Sequence, residues 1–180
     1  FRFKTLPLLC HGDFGPLEVA EDDTHYGSAF TLVTADNETS SDAESLVTFT
    51  GASTVTWNHD ATGRVHTAKL SDIEAESSSK TFGFTLKNSG EYPSEGSLLI
   101  PGRNEFSVYD IDVREGTERC VNLYFTKNLD MEQDITGLAY IDGNTNELVR
   151  VEGNCIKIYY DEKLSGSVNI FVNKGIKSSK

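Results

Sequence analysis

The sequence has no long apolar run. The longest, Leu6–Cys10, covers five residues and contains Pro7, against the roughly 20 that a membrane-spanning helix needs. Leu8-Leu9-Cys10 does not read as a lipoprotein processing site, because Leu9 is not small and the apolar stretch before it is too short for a signal peptide. Basic residues are scarce too. There are 16 against 28 acidic ones, a formal charge of −12, and only the tail around Lys174, Lys177 and Lys180 is locally basic. A duplex phosphate backbone repels such a surface, so nucleic acid is not an expected partner. Cysteine is limited to Cys10, Cys120 and Cys155, with no two at metal-ligand spacing. That pattern is neither a disulfide framework nor a zinc knuckle. Gly-x-Ser-x-Gly and Gly-rich phosphate loops are missing, which removes the nucleophile elbow and the nucleotide cradle.

Amphipathic helical periodicity is almost absent, and alternation with period two takes its place. Phe30 and Leu32 alternate with polar partners, as do Val55 and Trp57, and Phe82, Phe84 and Leu86 give the clearest run. In the second half the pattern returns at Val121, Leu123 and Phe125, at Ile156, Ile158 and Tyr160, and at Val168, Ile170 and Val172. Each run is short, rich in β-branched or aromatic residues, and bounded by Gly, Asn, Asp or Ser, which is the sequence form of a β-sandwich. His59-Asp60-Ala61-Thr62-Gly63 reads as a hairpin loop with Gly63 at positive φ, and Asp142-Gly143-Asn144-Thr145 reads the same way. A short helix is expected only over Asp42–Phe49, with Asp42 as its N-cap.

Pro101 and Gly102 interrupt the pattern within Ile100–Asn104 and mark a linker. The expectation is an all-β chain of two small immunoglobulin-like β-sandwiches in tandem, residues 1–102 and 103–180. Phe106 and Val108 open the second, and a change of phase at Asp110 calls for a bulge or a strand that swaps sheets before Ile111 and Val113. Trp57, Phe82, Phe84, Val121, Phe125, Ile156 and Ile158 are the expected core. Cys120 and Cys155 have the opposite parity and are expected to face outward as free thiols.

Candidate chemistry is thin. His59 and His66 flank a turn and are read as exposed, since no third ligand accompanies them for a metal. The stretch Asp36–Glu44 lacks the central Gly and the ligand spacing of a calcium loop, so it reads as a solvated loop, as does Glu21-Asp22-Asp23. No catalytic, cofactor-binding or metal-binding residue is assigned, no cofactor is implied, and the chain does not read as an enzyme.

Several stretches resemble, in order and spacing, the N-terminal region of bacterial alpha-2-macroglobulins over residues 26–180. In the first half these are Trp57–Thr67 and Leu70–Glu74, and Ile100–Val108 is similar to the family's junction between two domains. In the second half they are Val121–Phe125, Asn128–Asp130, Gln133–Leu138, Val151–Asn154, Leu164–Gly166 and Gly175–Lys177. The resemblance implies non-catalytic structural or interaction domains of a large protease trap, periplasmic or at the bacterial cell surface. Its partners would be the other domains of the same long chain, and proteases through the full-length protein. Any membrane attachment would run through an anchor outside this segment. A start at Phe1 rather than Met fits an excised segment. Thioester-bearing members of that family carry Cys-x-Glu-Gln, and the nearest match here is Asp130-Met131-Glu132-Gln133, with Asp130 where the reactive Cys would stand. Glu132 and Gln133 are then read as plain loop residues. The alternative is an immunoglobulin-like binding module of a surface glycan-uptake protein or adhesin, in which Tyr124 and Tyr159 would stack on sugars.

Overall fold

The computed structural model describes residues 9–51, 53–144 and 148–180. Leu8 of the lipoprotein reading, all but Leu9 and Cys10 of the Leu6–Cys10 run, and Thr145 of the second turn lie outside them. The chain is all-β, 51% strand and 4% helix, and divides into two compact units, Phe1–Arg103 and Asn104–Lys180.

In the first unit, strands β1 (Cys10–Val19), β2 (His25–Thr34), β4 (Thr54–His59) and β5 (Val65–Glu74) form an antiparallel sheet in the order β1-β2-β5-β4. Strands β3 (Val47–Thr50), β6 (Lys80–Leu86) and β7 (Glu95–Ile100) form a second, in the order β3-β6-β7. Alternation sets which side chains meet between them. Phe14, Phe30 and Trp57 from the first sheet interleave with Phe49, Phe82 and Phe84 from the second, the closest pair being Phe30 and Phe84 with centroids 4.8 Å apart. Phe30, Phe82 and Phe84 are buried. Trp57 is only half-buried, contrary to expectation, because β4 is an edge strand whose inner face lies at the rim. Val55 on the same strand is 38% exposed for the same reason.

The only helix among the described residues, α1 (Ser40–Ser45), is shorter than Asp42–Phe49 and starts earlier. Thr39 is the N-cap, its Oγ1 accepting from the Asp42 backbone N–H at 3.2 Å and donating to the Asp42 carboxylate at 2.6 Å. Phe49 belongs instead to β3, where Val-Thr-Phe-Thr alternates as a strand does. No helix among the described residues is long and apolar enough to cross a membrane. Past β7 the chain stays tied to this unit, with the Arg103 N–H on the Glu76 carbonyl at 2.7 Å and its guanidinium on Glu74 at 3.1 Å.

The second unit has strands β8 (Val108–Glu115), β9 (Arg119–Phe125), β11 (Val149–Glu152) and β12 (Cys155–Tyr159) in one antiparallel sheet, ordered β11-β12-β9-β8. A register shift between Val108 and Asp110 is a bulge, one of the two explanations of the phase change. Strands β10 (Ala139–Ile141) and β13 (Ile170–Val172) pair as a two-stranded ribbon. The ribbon's Ala139 and Ile141 share one core with Val121, Leu123 and Phe125 of β9 and Ile156 and Ile158 of β12. The Val168–Val172 run is less buried than its alternation suggests. Val168 and Ile170 are half-buried and Val172 is 43% exposed, on a ribbon of only three residues per strand.

Candidate functional site

A group of hydrogen-bonded polar side chains with one fully buried member, His66, lies at the β4–β5 hairpin. Asp60 builds the turn: its Oδ1 accepts from the Arg64 and Val65 N–H groups, each at 3.1 Å, and its Oδ2 accepts from the Thr62 hydroxyl at 2.6 Å. Those donors, the Thr62 hydroxyl foremost, lower the Asp60 carboxyl to about 2. Gly63 at φ +67° closes the loop as expected.

The turn sets the register that places His59 opposite His66. They share the inner face with Trp57 and Ala68, which pair next along the ladder. The two rings come within hydrogen-bonding distance, Nδ1 to Nδ1 at 2.8 Å, and the His59 Nε2 meets the Glu44 carboxylate of α1 at 3.2 Å. The indole of Trp57 stacks on His59, centroids 5.9 Å apart and 11° between planes. The exposed reading of these histidines is therefore corrected. His66 is fully buried on a central strand, His59 is half-buried, and the buried His66 Nε2 has no hydrogen-bond partner among the described residues. Burial lowers the His66 pKa, and neighbouring His59 lowers it further. The Gly63 backbone, Asp60 and Glu38 pull the other way. As ligands these groups form a line, with Glu44 on the far side of the His59 ring, so they do not converge on one point. Among the described residues no three His, Cys, Asp or Glu groups do. Among the described residues no hydroxyl or thiol is hydrogen-bonded to either ring, so they offer no nucleophile for the rings to activate.

The outer face of the β8-β9-β12 sheet collects the other sequence candidates. Cys120, Asn122 and Tyr124 on β9 lie beside Cys155, Lys157 and Tyr159 on β12 and beside Asp110, Asp112 and Arg114 on β8. Both cysteines are free and face away from the core as their parity predicts, yet both are buried. Long neighbours on either side of the central strand cover them. Register places Cys120 opposite Tyr159 and Cys155 opposite Tyr124. That separates the thiols by four residues along the sheet, roughly 13 Å at about 3.3 Å per residue, beyond the roughly 7 Å Cα separation that a disulfide bridges. Burial pushes the Cys155 thiol up to about 11 and raises Cys120 and Cys10 as well, which leaves them unreactive thiols at neutral pH. The rest of the face is paired. Asp112 accepts from Asn122 at 3.3 Å and Arg114 at 3.0 Å, Lys157 binds Glu152 at 2.6 Å, and Tyr159 donates to Glu118 at 2.8 Å.

The same register keeps Tyr124 and Tyr159 apart, and the Arg150 guanidinium lies 5.6 Å above the Tyr159 ring. The exposed aromatic pair is a different one, Tyr140 and Phe171 on the ribbon. They stack at 5.1 Å and 20°, each 40% exposed. Its signal in the sequence was the parity of Tyr140 against Ala139 and Ile141, legible only once β10 is recognised as a strand.

The acidic stretches serve as connectors. In Asp36–Glu44 the Glu38 N–H reaches the Gly63 carbonyl at 2.8 Å and Asn37 accepts from Arg64 at 3.0 Å. In Glu21-Asp22-Asp23, Asp22 accepts from the Thr24 and His25 N–H groups and meets the His25 ring at 2.6 Å. Asp23 is buried rather than solvated, at φ 59°. Gln133 is more than a loop residue. Its carboxamide donates to the carbonyls of Asp130 at 2.8 Å and Lys177 at 2.9 Å and accepts from the Lys177 N–H at 2.9 Å, clasping the C-terminal segment. Asp130 itself accepts from the Glu132 N–H at 3.0 Å.

No family model, no curated protein and no solved structure matches the chain.

Proposed function

We propose that the chain supplies two non-catalytic, immunoglobulin-like β-sandwich domains of a large bacterial alpha-2-macroglobulin-like protease trap, periplasmic or at the cell surface. The observation that carries the immunoglobulin-like reading is the strand order of the first unit. With β1 to β7 taken as strands A to G, β1-β2-β5-β4 facing β3-β6-β7 is the ABED and CFG arrangement of that fold. Phe30 on the second strand and Phe84 on the sixth meet where antibody domains place their inter-sheet disulfide. The resemblance of Trp57–Thr67, Ile100–Val108 and Gln133–Leu138 to the family supports the wider assignment. The partners on this reading are neighbouring domains of the same long chain, and Asp130 in place of a reactive Cys keeps covalent capture out of this segment.

Incubating the chain with trypsin-, elastase- and papain-type proteases tests the non-catalytic part. Protease activity on a large substrate is expected to be unchanged and no covalent adduct to appear by mass. Stoichiometric inhibition, or a mass shift equal to the protease, would refute it. The coding sequence beyond Lys180 tests the family. Further β-sandwich domains are expected there, and a stop codon directly after Lys180 counts against the assignment.

The exposed Tyr140–Phe171 pair favours a second reading, a surface-glycan or adhesin binding module. Specific signals on a glycan array that disappear in Tyr140→Ala would put this reading first, and a blank array would dismiss it.

A further inference from the structure

The Glu44–His59–His66 line uses three titratable groups from three elements, one of them at full burial, and no part of the proposed function needs it. Its proton count is constrained by geometry. The His66 Nε2 is buried without a partner, so it is cheapest as a bare lone pair. The hydrogen-bond network then assigns the His66 proton to Nδ1, donating to the His59 Nδ1, and the His59 proton to Nε2, donating to Glu44. Two protons satisfy both bonds. A third cannot be added at no cost. Keeping the ring-to-ring bond means that only one of the facing Nδ1 atoms carries hydrogen. The extra proton then leaves an N–H on the buried His66 Nε2, which makes no hydrogen bond among the described residues. The other choice puts hydrogen on both facing nitrogens at 2.8 Å and breaks the bond.

We propose that this line is a proton-sensitive latch that holds α1 and β4 against β5 at neutral pH and releases them in mild acid.

The charges around the latch come from α1, the segment before it and the β4–β5 turn. Glu44 of α1, Asp60 of the turn and Glu38 before the helix are acidic, and Glu44 alone is hydrogen-bonded to the line. The nearest guanidinium, Arg64, is engaged with Asn37 at 3.0 Å. Strand β2 contributes Leu32 opposite His66, and β5 itself continues with Ala68. Burial and His59 outweigh the Gly63 backbone, Asp60 and Glu38, and the His66 pKa lies below its ordinary value. A base with a lowered native pKa leaves stability intact at neutral pH. Stability is then lost as pH falls below the unfolded value of about 6.5, where the unfolded chain takes up the proton and the native one does not.

The sole tryptophan, Trp57, stacks on His59 and is a built-in reporter. Urea unfolding of the full chain is followed by its fluorescence at pH 7.5 and pH 5.0. The unfolding equilibrium constant of the wild type is expected to rise on acidification, by at most roughly 30-fold for one histidine that stays neutral in the native state. In His66→Leu the rise should shrink to less than about threefold. An equal rise in both proteins overturns the latch. Should His66→Leu fail to fold, ring-nitrogen NMR and amide exchange on the wild type decide. Expected are hydrogen on the His66 Nδ1 at pH 7.5 and loss of amide protection in α1 and β4 at pH 5.0. Hydrogen on the His66 Nε2 at pH 7.5, or full protection of both elements at pH 5.0, refutes the proposal.

Discussion

Replacing Phe84 by Ala tests the aromatic core of the first unit. The side chain is 3% exposed and packs on Phe30 at 4.8 Å and Phe14 at 5.3 Å, with its ring laid across Gly96 of the neighbouring strand. A buried Phe removes roughly 200 Å² from water, which at about 25 cal/mol per Å² is an upper figure of about 5 kcal/mol. Phe-to-Ala changes in cores cost about 3–5 kcal/mol once the cavity is included. Domains of this kind have only about 5–15 kcal/mol in all, so the variant should retain little of its stability. With a urea m-value of about 1–3 kcal/mol per M, the midpoint read by Trp57 fluorescence should fall by at least about 1 M. A double cycle with Phe30→Ala should then show a coupling of about 0.5–1.5 kcal/mol beyond the lost area. A loss under about 1 kcal/mol would mean that Phe84 is not packed between the sheets, because even a single buried methylene is worth about that much.

The remaining expectations concern single groups. A Cβ on Gly96 would lie 2.6 Å from the Phe84 ring, so Gly96→Ala should lower the Trp57 unfolding midpoint. The further change Phe84→Leu should give part of that back. Failure of the rescue would place the strain elsewhere. Asp60 is lowered to about 2, so its stabilising effect is present above its unfolded value and is lost as pH falls from about 4 towards 2. Asp60→Asn should flatten the acid-unfolding curve in that window, and an unchanged curve would show that the turn does not depend on the carboxylate. Three thiols should titrate in denaturant without reductant, with Cys155 slow to react in the native state. Fewer than three would reveal a disulfide. Gln133→Ala removes two hydrogen bonds that clasp Lys177 and one to the Asp130 carbonyl, and should cost about 1–3 kcal/mol. Unchanged amide exchange at Lys177 would show that the clasp is dispensable.

What the sequence determined by itself is what local chemistry determines. Alternating runs such as Phe82, Phe84 and Leu86 select strands and say which residues share a face, because the side-chain period of a strand is two. Asp60 and Gly63 mark their hairpin by local chemistry, and the change of parity at Asp110 called for a bulge or a strand that swaps sheets, of which the structure has the bulge. Thr39 as N-cap was also within reach, since its hydroxyl and the Asp42 carboxylate stand three residues apart. Parity, however, does not say whether a face is covered, and only the tertiary structure decided that. Cys120 and Cys155 point outward as their parity requires, yet lie buried, because β9 is central and flanked by long side chains. Trp57, a residue that favours a core, is half-exposed because β4 ended up at an edge. His66 is polar and next to a turn, and it became the most enclosed imidazole of its unit because β5 pairs on both sides while α1 brings Glu44 to its partner. Position within a sheet, and what packs over it, comes from contacts far apart along the chain, and no local pattern encodes them.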